Sequence, residues 1–345
     1  NGDGIAALVS SRLPAEALHA FKSLFGDVLG STRLASIEED QVTAYDVASP
    51  KGNDLDALKT ADCVVVIGAD LAKSHQVAGF FIKRNLPNGL RLIVIDPQVN
   101  DMDDLAQFVL RLQPGSDEAL LRGIIASAVK LGLNKESAPE GFEEDRTELA
   151  AVSHATGIPA STIVDVAREI SSARAPVFVY GKGLTRPDAQ AARQALAALA
   201  QVVGGAALIN PKGKANSFAA HCYDLDRPFN PRGSQAVYLA LGDDYPSARL
   251  LETLNESAFI AVQASHVSPV TQRADVVLPV EAWTEQEGHY LNLEGRLQAA
   301  HKALSAPGEA RSNLAVLQEL ANGLGASLDE NWQAALSWNV AEFVG

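Results

Sequence analysis

Cys63-Val64-Val65-Val66-Ile67-Gly68-Ala69-Asp70 is a short β-branched run that stops on a glycine and an acidic residue. Ser74-His75 and a helical stretch follow, and then Leu92-Ile93-Val94-Ile95 ends in Asp96-Pro97-Gln98. Strand, loop, helix and second strand in that order make one parallel crossover unit. Both apolar runs are continuous rather than alternating, the pattern of strands covered on both faces. Glycine at the end of a strand lets a ligand approach the backbone, and the next helix offers free N–H groups to a phosphate. An acidic residue after the second strand is placed to hydrogen-bond a ribose or base. The unit lacks GxGxxG, and Gly-Ala-Asp serves equally as a tight turn. Nucleotide binding stays open on these residues alone.

The same texture extends in both directions. Ile5–Val9, Phe108–Leu110, Val177–Tyr180, Ala236–Leu241, Phe259–Val262 and Val276–Leu278 read as strands, with helical stretches between them. A helix opens at Pro14 and runs toward Phe25, and two more are expected at about 311–324 and 328–338. The polar stretch from Asn134 to Gly157 reads as a helical excursion between two sheet systems. The implied class is α/β, with two doubly wound, mostly parallel Rossmann-like domains.

Composition narrows the function. At 345 residues the chain exceeds one ordinary core, and 47% hydrophobic residues fit a packed globular protein. A net charge of −14 opposes nucleic-acid binding and leaves simple solubility or basic partner subunits on an acidic face. No run approaches the roughly 20 apolar residues that span a bilayer, so no direct membrane insertion is expected. The opening Asn1-Gly2-Asp3-Gly4 has no basic n-region, so no signal peptide is expected in it, and a start on Asn suggests a fragment. Cys63 and Cys222, in no CxxC context, cannot hold a cluster that takes about four thiolates, and Cys63 reads as a core residue. They imply a reducing, cytoplasmic setting.

A second unit is Ala274-Asp275-Val276-Val277-Leu278-Pro279, then Glu285-Gln286-Glu287-Gly288, then Asn292-Leu293-Glu294-Gly295-Arg296-Leu297-Gln298. By spacing alone, Arg296 beside Glu294 is either an ion pair or an anion clamp. These elements resemble the closing signature of the molybdopterin oxidoreductase superfamily, which includes formate dehydrogenases and the G subunit of respiratory complex I. Segments 9–31, 61–79, 90–98, 110–121, 175–185 and 210–225 resemble earlier family segments in the same order. The resemblance runs from about residue 5 to 325.

The resemblance implies one discontinuous nucleotide-binding-like domain (1–35 with 176–310), an inserted one (36–175) and C-terminal helices (311–345). In metal-bearing members two pterin guanine dinucleotides lie between such domains. Here that would place one nucleotide near Gly68, Asp70, His75, Asp96 and Asp117, and the other near Gly242, Asp243, Ser265 and Asp275. Gly68, Asp96 and Gly242 are expected at strand ends lining a common cleft. The chain departs from the family at several of these places. Asp70 stands for Asn, Gln98 for Arg, Gln107 for Asp, and Asp243-Asp244 for Asn-Pro. Each added carboxylate repels a pyrophosphate by about 1 kcal/mol at a partly hydrated site.

The metal ligand of catalytic members belongs to the loop that here reads Ser36-Ile37-Glu38-Glu39-Asp40-Gln41-Val42, without Cys, and with Asp40 as a remote alternative ligand. No catalytic residue and no metal ligand are therefore expected, and no cofactor in this chain. Molybdopterin guanine dinucleotide is the runner-up, and iron–sulfur clusters are expected only on regions outside this chain or on partner subunits. The histidines show no zinc spacing, with His19 expected on the surface and His75 facing a ligand or capping a helix. Asp117 is expected to cap a helix.

The leading expectation is a non-catalytic scaffold domain of a complex I G subunit-like NADH-quinone oxidoreductase. It would be cytoplasmic and peripheral to the inner membrane through partner subunits. The alternatives are part of a formate dehydrogenase-like enzyme that binds a pterin guanine dinucleotide, and a module that keeps one guanine nucleotide without redox chemistry.

Overall fold

The structure, a computed structural model, describes residues 2–37, 54–142, 147–185, 187–211, 213–254 and 259–340. It divides into two compact units, one of residues 1–42 with 213–345 and one of residues 43–212. Among the described residues twelve strands follow in chain order. They are β1 Ile5–Val9, β2 Arg33–Ser36, β3 Cys63–Ile67, β4 Arg91–Ile95, β5 Phe108–Leu110, β6 Pro176–Tyr180, β7 Ala207–Ile209, β8 Ala236–Gly242, β9 Phe259–Ala264, β10 Val276–Pro279, β11 Gly288–Leu291 and β12 Leu297–Ala300.

In the unit of residues 43–212 the strands lie in the order β5-β4-β3-β6-β7, all parallel. Counted within the unit this is 3-2-1-4-5, so the winding direction reverses between β3 and β6. Every residue of β3 is fully buried, which is why its run shows no polar alternation. One face packs on the helices Asp117–Lys130, Ala160–Ser172 and Gln190–Val202. The other packs on the helix Gln76–Asn85 and its neighbours.

The other unit carries β2-β1-β8-β9-β10, also parallel, with β11 and β12 as a separate antiparallel hairpin. Within the unit the order is 2-1-3-4-5, and the reversal falls between β1 and β8. The helix Ala15–Lys22 follows β1 directly, buries six of its eight residues and continues into a π-helical segment, Ser23–Val28.

Three expectations are corrected here. Residues 176–212 do not belong with β1: β6 registers on β3 from Cys63↔Pro176 to Ile67↔Tyr180, and β7 pairs with β6. A fully buried run such as Pro176–Tyr180 carries no mark of which sheet buries it. The stretch after Asn134 is not a link between sheets. It joins β5 to β6 of one sheet, and its helix Leu149–Thr156 packs on Asp117–Lys130. His19 is buried, because Tyr223 stacks on it and Asp329 approaches its Nε2 at 3.7 Å.

Candidate functional site at the strand ends

At the carboxyl edge of the sheet in residues 43–212, Gly68 ends β3 with φ +57°. Gly181 follows β6, where a Cβ would come within 2.5 Å of the Gly68 carbonyl oxygen. A Cβ on Gly68 would in turn meet Gly183 Cα at 3.2 Å. The winding reversal is thus closed by glycine backbone against glycine backbone. Asp70 caps the one-turn helix Leu71–Ser74 by accepting from the Lys73 N–H (3.4 Å), and its carboxylate also pairs with Lys73 Nζ at 2.9 Å. It therefore fills the helix N-terminus that a phosphate would otherwise use. His75 makes no side-chain cap to the next helix, Gln76–Asn85.

Asp96 follows β4 and is held locally. Its Oδ1 accepts from the Gln98 N–H (2.8 Å) and its Oδ2 from Asn100 Nδ2 (3.4 Å). Arg111 donates to the Asp96 and Gln98 carbonyls and pairs with Asp103. Asp117 is the first residue of its helix, not the cap, which is Ser116. Burial pushes the Asp117 carboxyl above the ordinary range, and the charge of Asp96 adds to this against the hydrogen bond from its own backbone. Asp96 and Asp117 are thus electrostatic neighbours at this edge.

The other unit gathers more charge. Gly242 ends β8 at φ +59°, where a Cβ would strike Leu13 at 2.6 Å. Asp243 and Asp244 follow with side chains only 4% and 7% exposed. Asp243 Oδ2 faces Arg12, just past β1, at 3.5 Å, while its Oδ1 is buried without a hydrogen-bond partner. Asp244 accepts from Ser10 Oγ (2.8 Å) and is paired with Lys214. Ser265 follows β9 and donates from backbone and side chain to the Gly242 carbonyl, at 2.8 and 3.1 Å. Tyr290 is pushed up to about 12 by burial, with Asp243 and Glu16 adding to the effect.

Asp275 does not join this group. It precedes β10, and its carboxylate accepts from Ile260 N (2.8 Å) near the start of β9. The four residues of β10 put it about 13 Å from the edge that holds Gly242 and Ser265. Arg296 resolves as an ion pair with Glu294 (3.5 Å), in a turn built on Asn292 Oδ1. Asp40 lies outside the described residues.

Sequence reasoning missed Arg12, Lys214, Asn216, Gly181 and Gly183. All lie inside the family-like segments, but no spacing rule marks them, because their partners come from strands far away in the chain. Asn216 is the clearest case. Fully buried, it donates to the Leu13 and His289 carbonyls (2.9 and 3.1 Å) and accepts from Leu291 N (2.8 Å), tying the turn after β1 to β11.

For a metal, the two thiols differ. Burial pushes the Cys63 thiol up to about 12, so it is no thiolate donor, whereas Cys222 is half-buried. Among the described residues no group of three or more His, Cys, Asp and Glu side chains is arranged to hold a metal ion. No described helix is long and apolar enough to cross a membrane.

The chain has relatives among known proteins. Residues 1–323 match a family model described as molybdopterin oxidoreductase. The alpha subunit of F420-dependent formate dehydrogenase 2 from Methanococcus maripaludis is 25% identical over 339 residues, covering 82% of this chain and 50% of that protein. The G subunit of NADH-quinone oxidoreductase from Rickettsia bellii is 42% identical, but over 90 residues, 26% of this chain and 12% of that one. Acetylene hydratase from Pelobacter acetylenicus superposes with a TM-score of 0.67 at 17% identity, covering 98% of this chain and 57% of that structure. The chain spans about half the length of the formate dehydrogenase subunits it matches.

Proposed function

The chain belongs to the molybdopterin oxidoreductase family, and from that premise we propose that it is a non-catalytic scaffold domain of an electron-transfer complex, like the G subunit of NADH-quinone oxidoreductase. One observation carries this reading. Arg12 and Lys214, the cations at the strand ends beside the winding reversal, are already matched by Asp243 and Asp244. The family's cofactor brings a pyrophosphate, which would have to displace buried carboxylates from these cations and then lie against them. Repulsion of about 1 kcal/mol per carboxylate even at the dielectric of bulk water, and more at a buried site, disfavours that exchange. Asp70 works the same way in the other unit, since it takes the helix N-terminus itself. These residues do not fit a pyrophosphate. The 42% identity to a complex I-type G subunit, confined to part of the chain, supports the same direction. Partner subunits of a redox complex are the ligands this reading requires.

A second reading has one observation in its favour. The buried, unpartnered Oδ1 of Asp243 would accept from the N–H donors of a guanine edge. A member of the formate dehydrogenase type would then hold a pterin guanine dinucleotide by its base. Equilibrium titration with guanosine diphosphate, on the chain and on Asp243→Asn, separates the two. The scaffold reading expects weak binding that tightens in Asp243→Asn, because the variant frees Arg12. Tight binding that is lost in Asp243→Asn would overturn it.

A further inference from the structure

The helix Gln76–Asn85 buries Ala78, Gly79 and Ile82 against one face of its sheet, so its outer face is expected to be polar. It is not. Val77 is 60% and Phe80 55% exposed, one turn apart on that outer face. The Phe80 ring meets Phe81 edge-on, with centroids 5.8 Å apart. Lys59, from the adjoining short helix Ala57–Thr60, lies over Phe81 at 5.3 Å. Single exposed apolar residues are ordinary, but a Val–Phe pair at helical spacing beside a second ring makes a patch.

The same face then turns basic. Lys83 and Arg84 follow Phe80 by one turn, and both are exposed. Their place in the last turn suits the negative end of the helix dipole, which accounts for the charges but not for the apolar pair. No Asp or Glu occurs from Leu71 to Ile95, in a chain that has 42 of them and a net charge of −14. Asp56, on the adjoining helix, is matched by Lys59 at 2.5 Å. Among the described residues no carboxylate pairs with Lys83 or Arg84. Asn85 Nδ2 ties the helix end to the Leu58 carbonyl (2.7 Å), ahead of β3, so the basic end lies at the amino edge of the sheet, away from the strand-end glycines.

We propose that this face docks an acidic, amphipathic helix of a partner polypeptide. Its apolar side chains would cover Val77 and Phe80, and its carboxylates would reach Lys83 and Arg84. At a rise of about 1.5 Å per residue, Val77 and Arg84 lie about 10 Å apart along the axis, so the partner carries its apolar and acidic groups roughly two turns apart. An amphipathic helix supplies that spacing. A second copy of this chain does not, because a two-fold pairing of this face sets like charges together. None of these residues enters the scaffold argument, so the surface stands or falls independently of it.

The test is a fluorescence-anisotropy titration of a labelled leucine–glutamate–alanine helical peptide with the purified chain. Its leucine–lysine–alanine counterpart and phosphatidylserine vesicles are run at the same ionic strength. Saturable binding of the acidic peptide is expected, with the basic peptide at least about tenfold weaker and no binding to vesicles. Val77→Gln with Phe80→Gln, both at exposed positions that leave the core intact, should weaken the acidic peptide at least about tenfold. Lys83→Glu with Arg84→Glu should reverse the preference between the two peptides. Leu131→Gln, at an exposed apolar position on another helix end, should change nothing. Absence of saturable binding, or equal binding of the two peptides, overturns the proposal. So does unchanged affinity in the double Gln variant, an equal loss in Leu131→Gln, an unreversed preference in the double Glu variant, or binding to vesicles, which would make the face a lipid contact.

Discussion

Gly181 packs against Gly68 so closely that a single added methyl carbon would sit 2.5 Å from the Gly68 carbonyl oxygen and 2.7 Å from Ala69 Cβ. The obstacle is backbone, fixed by the Gly181 N–H bond to Ile67 (2.9 Å) and the Gly68 N–H bond to Ile95 (2.9 Å). Gly181→Ala therefore has nowhere to relax, and overpacking of this kind costs about 1–3 kcal/mol. Chemical denaturation should show that loss. A change below about 0.5 kcal/mol, the range of an ordinary surface substitution, would mean the two strand ends are not in contact.

The turn after β1 rests on Asn216. Asn216→Ala strips partners from the Leu13 and His289 carbonyls and from Leu291 N, all at a site with no exposure. At about 1–3 kcal/mol for a buried group left unpaired, a loss of roughly 2–4 kcal/mol is expected. Hydrogen exchange should show it first at Leu291. If Leu291 exchanges as slowly as in the parent protein, the anchoring role is wrong.

Asp117 sets a pH dependence. Its carboxyl is raised by burial first and by Asp96 second, so the folded state holds the proton more tightly than the unfolded chain. Stability then falls as pH rises from the ordinary value of 3.8 through the folded pKa, and the deficit persists above it. Asp117→Asn removes the charge, so at pH 7 it should be more stable by on the order of 0.5 kcal/mol. The advantage should vanish below pH 3.8. A variant less stable than the parent at pH 7 would show that the helix N-terminus stabilises the charge more than burial opposes it.

The thiols should separate kinetically. Cys63 is buried in β3 with its pKa pushed up to about 12, while Cys222 is half-buried. A disulfide reagent at pH 8 should modify Cys222 in the folded chain and Cys63 only after unfolding, because the thiolate is the reactive form. Two equally fast thiols would place Cys63 outside the core.

The fold was legible where a strand is rich in β-branched or aromatic residues. Cys63–Ile67 shows it with four β-branched residues in a row and Arg91–Ile95 with three, while Ala236–Gly242 and Phe259–Ala264 show it through Val237-Tyr238 and Phe259-Ile260-Ala261-Val262. Arg33–Ser36 and Ala207–Ile209 escaped because they hold between them a single β-branched residue, Ile209, and their pairing comes from neighbours distant in sequence. The assignment of Pro176–Tyr180 to the wrong sheet has the same root. Hydrophobic pattern says that a strand is buried, not which strand lies beside it.

The strand-end positions of Gly68 and Gly242 were legible, and both glycines take positive φ there. Asp275 was misplaced because Ala-Asp before an apolar run reads alike at either end of a strand. The cations that decide the chemistry, Arg12 and Lys214, were silent. Their meaning lies in reaching Asp243 and Asp244 across roughly two-thirds and one-tenth of the chain.

A chain that scaffolds a redox complex, as proposed, carries none of the family's cofactor. The most direct measurement is the molybdenum, tungsten and pterin content of the protein isolated together with the partners it holds, by elemental analysis and by mass spectrometry of small molecules released on denaturation. Neither metal is expected above trace level, and no pterin guanine dinucleotide assignable to this chain. About one molybdenum or tungsten per chain, with pterin in proportion, would contradict it and return the loop around Asp40 to the position of ligand.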